Sequence, residues 1–538
     1  MRRLLALVLA ALLLAAAARA EEALPSIANA IEAGLAQVTE QATRPGGRVG
    51  RELDSVRSFY EARGFAPAWT DAAGLTARGR LVLATLQAAA GEGLRPQDYF
   101  VDTLEGYDGA TTVGELAALD IGLSIALLNY AVDVQVGRVE DPGADPHTRI
   151  ERRTVDRQAV LTEAALAPDL QRWLASLPPQ TDRYARLRSH LAELRAVAAR
   201  GGWTPVPDAV VLKPGMDDPA VAALRVRLVE SGDLPFGAAG GTLYDPVLEA
   251  GVRRFQARHG LDADGVVGKG TLRALNTPVE RRIDQLVVNM ERRRYLPTDL
   301  GARHVFVNIA DFEVKLVETA ADGTERTVLT SPVVVGTPYT QTPVFADSIS
   351  YVVVNPYWHV PRGIATKELL PQIRKHPDYL RRNHYTLLAA DGRVVDPRSV
   401  DWAKVTPGRF PYSVRQEPGD DNALGRLKIM FPNEFNVYLH DTPSKGLFAR
   451  AERAFSHGCI RVGRPFELAA ALLAPQGIDL PALEARTAGP GNQTITLKQP
   501  VPIYVTYLTA FVNKDGTVNF RDDIYGRDAP LLASLEGG

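Results

Sequence analysis

Residues 304–318 read HVFVNIADFEVKLVE, residues 327–336 read TVLTSPVVVG, and residues 348–361 read SISYVVVNPYWHVP. β-Branched and aromatic side chains alternate with polar ones or form short unbroken runs, and turn formers separate the stretches. Successive side chains on a strand point to opposite faces, so these runs make pleated strands with at least one buried face. The reading is a β-rich domain that begins near Arg303. Residues 361–424 break the pattern, with a helical start at residues 364–374 and then a long polar segment with many prolines and glycines. Insertions of that length beside a site commonly act as lids. Past a Gly/Pro linker beyond Pro481, residues 495–520 read ITLKQPVPIYVTYLTAFVNKDGTVNF, two strands across a turn at residues 514–516. They are expected to add an edge to the same β domain.

Upstream the apolar period becomes helical. From about residue 26 to 200 the chain is rich in Ala, Leu and Arg, with Leu116, Leu119, Leu123 and Leu127 on one helical face. Phe59, Tyr60, Phe65 and Trp69 read as core anchors of this helical domain or as a groove, with core the expected use. The stretch GGWTPVP at residues 201–207 breaks the pattern and marks a linker. Between residues 217 and 276 two further helical patterns, through Val221, Leu224 and Leu228 and through Val247, Val252 and Phe255, precede the Gly-rich segment LDADGVVGKGTL. This is a small helical module. The fold class expected is therefore multidomain α+β: helical scaffold, small helical module, β-rich domain.

Composition narrows the function classes. A chain of 538 residues exceeds one compact core, and 46% hydrophobic with 23% charged residues is a globular profile. Sixty-one basic and 63 acidic residues leave a net charge of -2, so no field recruits nucleic acid. The first residues carry Arg2 and Arg3, an apolar run over residues 4–18, and Ala18 and Ala20 around Arg19. That is an export signal with cleavage before Glu21, or an anchor if uncleaved, and the mature chain is expected outside the cytoplasm, in the periplasm. No later stretch has spanning length without charge, so no integral membrane domain is expected beyond it.

An exported chain usually pairs its cysteines, yet this one has a single cysteine, Cys459, which cannot form an internal bridge. It is either an inert buried thiol or a nucleophile. Residues 455–462 read FSHGCIRV and residues 437–444 read VYLHDTPS. A thiol becomes a strong nucleophile when an imidazole takes its proton, and both His440 and His457 are candidates for that base. Gly458 permits a backbone turn that a side chain would hinder, so that amides near Cys459 can face a developing oxyanion. Arg461 supplies a permanent cation that fixes a substrate carboxylate or holds the loop. The scattered His304, His359, His376 and His384 lack metal-ligand spacing, and the Asp420 and Asp421 pair reads as a solvated turn, so no metal and no cofactor is expected. A lone Cys with a nearby His also suits a hydrolase of the cysteine-protease type.

Two resemblances sharpen this. The segment VRRFQARHGLDADGVVGKGTLRALN resembles the peptidoglycan-binding domain family over about sixty residues, which implies that the module holds glycan or stem peptide. The combination HDT then SHGCIR, with NPYWHVP and VVVGTPYTQTPVF upstream, resembles the L,D-transpeptidase (YkuD catalytic domain) family, whose S-H-G-C-x-R signature is highly specific. The layout, with GRVEDP near Gly137 and GGW at Gly201, is similar to the large YcbB-like members. The domains expected are a signal at 1–20, a scaffold at 21–205, the binding module at 206–282, the catalytic domain, a β-sandwich in this family, at 300–485 with its lid at 361–424, and C-terminal strands at 486–538 packed on the catalytic domain.

By motif position the resemblance implies Cys459 as nucleophile and His440 as base. Ser456, His457 and Gly458 would shape the site, Arg461 would orient the loop, and Tyr438 would help form the oxyanion site. Tyr357 and Trp358 resemble pocket-lining residues, although aromatics at a strand end also serve packing. Asp441 follows the base where smaller relatives carry Gly or Ser and use a backbone carbonyl to orient the histidine, and the third triad member stays open. The implied reaction is acyl transfer from a tetrapeptide stem through a cysteine thioester to a stem amine, giving a 3-3 crosslink. Water as acceptor would make the enzyme an L,D-carboxypeptidase, and a lipoprotein lysine would make it a tethering or detaching enzyme. A wall-binding scaffold that recruits cell-wall synthesis proteins is the non-catalytic alternative. The resemblance also implies acylation by carbapenems.

Overall fold

The computed structural model describes residues 26–41, 48–107, 109–139, 147–151, 153–208, 211–489 and 491–537, and the expected signal segment lies outside them. The described residues form two compact units, one within residues 26–139, 151–298 and 509–537, the other within residues 147–150 and 299–508.

The first unit is helical. Its centre is α1 (Val113–Val136), started by a capping box in which Thr112 and Glu115 satisfy each other's backbone amides. Length and apolarity would let this helix cross a membrane, but its apolar window is wholly buried among the other helices, which makes it a core helix. The core around it takes in Tyr60 and Trp69, as expected, while Phe65 packs on its margin. Within α1, Asp120 is fully buried and accepts from the amides of Ala68, Trp69 and Thr70, at 2.9, 2.8 and 2.7 Å, and from the hydroxyls of Tyr60 and Thr70. These bonds fix the chain leading into the short hairpin β1 (Thr70–Asp71) and β2 (Gly74–Leu75). Asp120→Ala strands those donors, so urea unfolding of this unit is expected to show a loss of about 3–5 kcal/mol.

The small module is built on α3 (Pro219–Glu230), α4 (Pro246–Arg258) and α5 (Lys269–Leu275), which follow α2 (Asp182–Ala199) in the chain. Asp218 and Asp245 cap α3 and α4 with proline in the first turn, and Leu224, Leu228, Leu248, Val252 and Phe255 close a separate core. The next helix, α6 (Val279–Tyr295), packs on α2.

The second unit is the expected β-rich one. After β3 (Thr148–Arg149) come β4 (Arg303–Asn308), β5 (Glu313–Thr319), β6 (Glu325–Gly336) and β7 (Val344–Val354). Then follow β8 (Trp358–His359), β9 (Tyr385–Leu388), β10 (Val394–Val395) and β11 (Ser413–Gln416). The last in this unit are β12 (Leu427–Met430), β13 (Leu439–His440), β14 (Ala454–Ser456), β15 (Ile460–Val462) and β16 (Gln493–Thr506). The hydrogen-bonded path runs β12-β13-β15-β6-β5-β4-β16-β7, and β7 pairs again with β12, so these strands close into a ring. Closure leaves no open edge among them.

One sequence expectation gains detail and one changes. Within the segment 361–424, β9, β10 and β11 join β8 in a separate sheet over a core of Leu369, Leu370, Ile373, Leu387, Phe410 and Val414. The C-terminal segment is divided. β16 lies inside the ring between β4 and β7, not at an edge. The hairpin of β17 (Ala510–Val512) and β18 (Val518–Phe520) leaves the β unit and packs its Ala510, Val512 and Phe520 against α2 and α6. Gln285 of α6 donates to the carbonyls of Thr509 and Arg521, at 2.9 and 2.8 Å, and so clamps both ends of the hairpin.

Candidate active site

Three adjacent strands set the site. Lys428 on β12 is paired with His440 on β13, and His440 with Arg461 on β15. Residues paired across strands project to one face, so the three basic side chains form a row, while Leu427, Ile429, Leu439 and Ile460 fill the opposite, fully buried face. Two cations flanking a buried imidazole cost stability, and such a row marks a site rather than a scaffold. Extending the β13/β15 register by one residue sets Tyr438 beside Cys459, and the Ile460 amide donates to the Tyr438 carbonyl at 3.1 Å. His440 is then the diagonal neighbour of Cys459, a spacing of roughly 7–8 Å between backbones that long side chains bridge.

The loop carrying the thiol is held from below. Ser456 Oγ accepts from the Gly458 amide at 3.1 Å and donates to the Cys459 carbonyl at 2.5 Å. Gly458 has φ of +112°, which favours glycine. Thr342 Oγ1 donates to the Gly458 carbonyl at 2.8 Å, and Thr340 Oγ1 to the Ser456 carbonyl at 3.0 Å. The Cys459 side chain itself makes only a long contact to the Asn436 carbonyl, at 3.7 Å, besides its bonds to Tyr438.

Electrostatics follow from this placement. Burial raises the Cys459 thiol above its ordinary value, while hydrogen bonds from the backbone and side chain of Tyr438 and the charges of Lys428 and Arg461 work toward the thiolate. Burial, with Arg461 and Lys428 on either side, pushes His440 down to about 3. The resting pair is therefore a neutral thiol and a neutral imidazole. His440 Nδ1 donates to the carbonyl of Asp441 at 2.5 Å, which leaves Nε2 to act as the base. The orienting group left open in the sequence is thus a backbone carbonyl. The Asp441 side chain fixes that carbonyl's position: it accepts from the Arg426 amide, pairs with Lys445 and fills the space a side chain at Gly425 would need.

The remaining candidates divide. His457 has its Nε2 bonded to Glu368 of the insertion at 2.7 Å, so it links the nucleophile loop to the insertion. Trp358 packs in the insertion, on β8 opposite Gln416, with its ring 6.3 Å from Tyr385. Tyr357 carries the Arg415 guanidinium 4.3 Å above its ring. Lys428 was not singled out from sequence, although a lysine between Leu427 and Ile429 in an apolar strand is a signal. Its ammonium lies 3.8 Å from the Tyr438 ring centre. With Lys428→Met the thiolate loses that cation, so iodoacetamide should alkylate Cys459 roughly 3- to 10-fold more slowly at neutral pH, with the rate profile moved to higher pH.

Residues 302–503 match the family described as L,D-transpeptidase catalytic domain (YkuD), residues 217–275 the family described as "Putative peptidoglycan binding domain", and residues 54–191 a scaffold domain family. The chain is 37% identical over 256 residues to a protein of Haemophilus influenzae named "Putative L,D-transpeptidase". That alignment covers 47% of this chain and 50% of the relative, so the chain spans about half the length of the curated relative it matches. Among solved structures, the chain aligns with a fused Zn-dependent amidase/peptidase/peptidoglycan-binding protein of Clostridium acetobutylicum at 13% identity, covering 55% of this chain and 99% of that one, with a TM-score of 0.16. It aligns likewise with an L,D-transpeptidase of Xylanimonas cellulosilytica at 15% identity, covering 56% and 99%, with a TM-score of 0.16. At that score neither alignment bears on the fold.

Proposed function

We propose, from the matches of residues 302–503 to the L,D-transpeptidase catalytic domain family and of residues 217–275 to the "Putative peptidoglycan binding domain" family, that the chain is an exported, periplasmic enzyme that forms 3-3 crosslinks between peptidoglycan stems. The observation that carries this is the row of Lys428, His440 and Arg461 along a face whose register sets Tyr438 beside the Cys459 thiol. His440 Nε2 takes the thiol proton as sulfur attacks the L,D peptide bond after the third residue of a tetrapeptide stem. The Tyr438 hydroxyl and amides of the nucleophile loop face the developing oxyanion. The proton passes to the departing D-Ala amine and a thioester on Cys459 remains. An amine of a second stem then attacks, gives its proton to His440 and takes the acyl group, and the thiol is restored.

The Arg461 cation acts on the Cys459 sulfur and favours its thiolate. The binding module would hold wall material. A carbapenem would acylate the same thiol, because ring opening also develops an oxyanion there. The test is incubation of the purified chain with tetrapeptide-containing sacculi, followed by mass spectrometry of the muropeptides. New 3-3 dimers with released D-Ala are expected. Tripeptides alone would instead mean that water is the acceptor, and unchanged muropeptides would leave a wall-binding scaffold.

A further inference from the structure

The reaction at Cys459 makes no use of the C-terminal hairpin, yet that hairpin completes a cavity in the helical unit. His259, Arg273, Arg282, Phe520, Arg521 and Asp522 line a space of about 130 Å³. The first two come from the binding module, Arg282 from α6, and the last three from the end of β18 and the residues after it. The fit of hairpin to module is close. A side chain at Gly260, where φ is +68°, would meet the Arg521 side chain at 2.7 Å, and Arg521 itself donates to the Arg258 carbonyl at 2.9 Å.

Charge distinguishes this cavity from a packing gap. Arg282 is nine-tenths buried and has no carboxylate bonded to it. Its guanidinium donates to Gln285 Oε1 at 2.9 Å and distantly to the Ala274 carbonyl at 3.4 Å, and lies 4.7 Å from the Phe520 ring centre. Burial and the neighbouring Arg258 push it down to about 10, against the opposing pull of the Asp522 carboxylate. The nearby carboxylates are committed elsewhere. Asp233 makes a two-pronged pair with Arg258, and Asp522 stands 3.8 Å from the exposed Arg273. Three guanidiniums thus line the cavity against one carboxylate. Asp522 acts on both Arg282 and Arg273, so one carboxylate is shared among buried and exposed cations, and a bound anion would relieve the remaining cost.

His259 adds a second requirement. Its Nδ1 donates to the Phe255 carbonyl at 2.8 Å, and its ring stacks on Phe255 at 3.9 Å. Burial and the charges of Arg258 and Arg282 hold it well below the ordinary histidine value, hence neutral. Nε2 is then an acceptor, suited to an N–H of the ligand rather than to its charge. The cavity is well short of the roughly 300–1,000 Å³ of sites that enclose a drug-sized ligand, so it takes an end group and not a chain.

We propose that this cavity receives the free carboxylate terminus of a peptide, with Arg282 and Arg273 on the carboxylate, His259 Nε2 on the terminal amide N–H and Phe520 against a small side chain. The identity of that peptide as a wall stem rests on the reading of the module as peptidoglycan-binding; the carboxylate chemistry does not.

The experiment is isothermal titration of the full chain with N-acetyl-Lys-D-Ala, with its C-terminal amide, and with inorganic phosphate. Cys459 is alkylated beforehand, so that the catalytic site contributes neither turnover nor covalent capture. The free acid should bind at least 10-fold more tightly than the amide or phosphate. Arg282→Met should weaken it at least 10-fold, and Arg273→Gln, at an exposed position that does not endanger folding, should weaken it several-fold. Equal binding of acid and amide, or indifference to both substitutions, overturns the proposal; phosphate binding as tightly as the peptide overturns its peptide part, leaving a general anion site. Acid binding that needs Arg282, in a chain that leaves sacculi unchanged, would keep the cavity and remove the transpeptidase reading. Crosslinking without such binding would do the reverse.

Discussion

Cys459→Ala is expected to abolish acyl transfer while leaving the fold intact. No other thiol exists in the chain to replace it. Removal of a nucleophile that forms the covalent intermediate lowers turnover by about 10⁴-fold or more, since the general base then has nothing to activate. The loop does not depend on the sulfur. Its shape is set by Ser456, Thr340 and Thr342, whose hydroxyls bond the backbone around the nucleophile. The thermal midpoint should therefore move by no more than about 2 °C. Intact-mass analysis after exposure to a tetrapeptide stem or a carbapenem should show an adduct on the parent chain and none on the variant. An adduct on the alanine variant, or crosslinking without the thiol, would remove Cys459 from the mechanism.

His440→Ala should slow single-turnover acylation by about 10²–10⁴-fold, the usual contribution of a positioned base. The pH dependence carries the sharper expectation. An ordinary histidine near 6.5 would lose its basic form as the pH falls from 7.5 to 5.5. His440 is pushed down to about 3, so protonation of the base begins far lower and the parent's acylation rate should stay nearly level over that interval. A tenfold fall between pH 7 and 5.5 that tracks a group near 6.5 would refute the assignment. The same shift has a stability sign. Between about pH 6.5 and 3 the unfolded chain binds a proton at this residue that the folded chain refuses, so the group's contribution falls as the pH falls, by up to ~1.4 kcal/mol per unit. Removing the imidazole should flatten that part of the stability curve.

The amino-acid sequence alone determined the strands around residues 304–354, because their apolar alternation has no helical counterpart, and the buried helix through Leu116, Leu119, Leu123 and Leu127. It also brought Cys459, His440 and Gly458 forward, since a lone exported thiol near histidines has few chemical uses, while Tyr438 came only from the resemblance to the L,D-transpeptidase family. Three matters lay beyond it. Lys428 joins the site only because β12 pairs with β13, a contact across 12 residues that no local pattern encodes. The orienting group for His440 is a backbone carbonyl, and backbone atoms leave no trace in residue identity. The C-terminal hairpin carries ordinary strand periodicity, which says that it needs a partner surface but not which one. Tertiary packing decided that, placing Phe520 and Arg521 beside the binding module's His259 and Gly260 rather than on the β ring. Local propensity fixes an element's type, whereas its neighbours are chosen by the summed burial and hydrogen bonding of the whole fold.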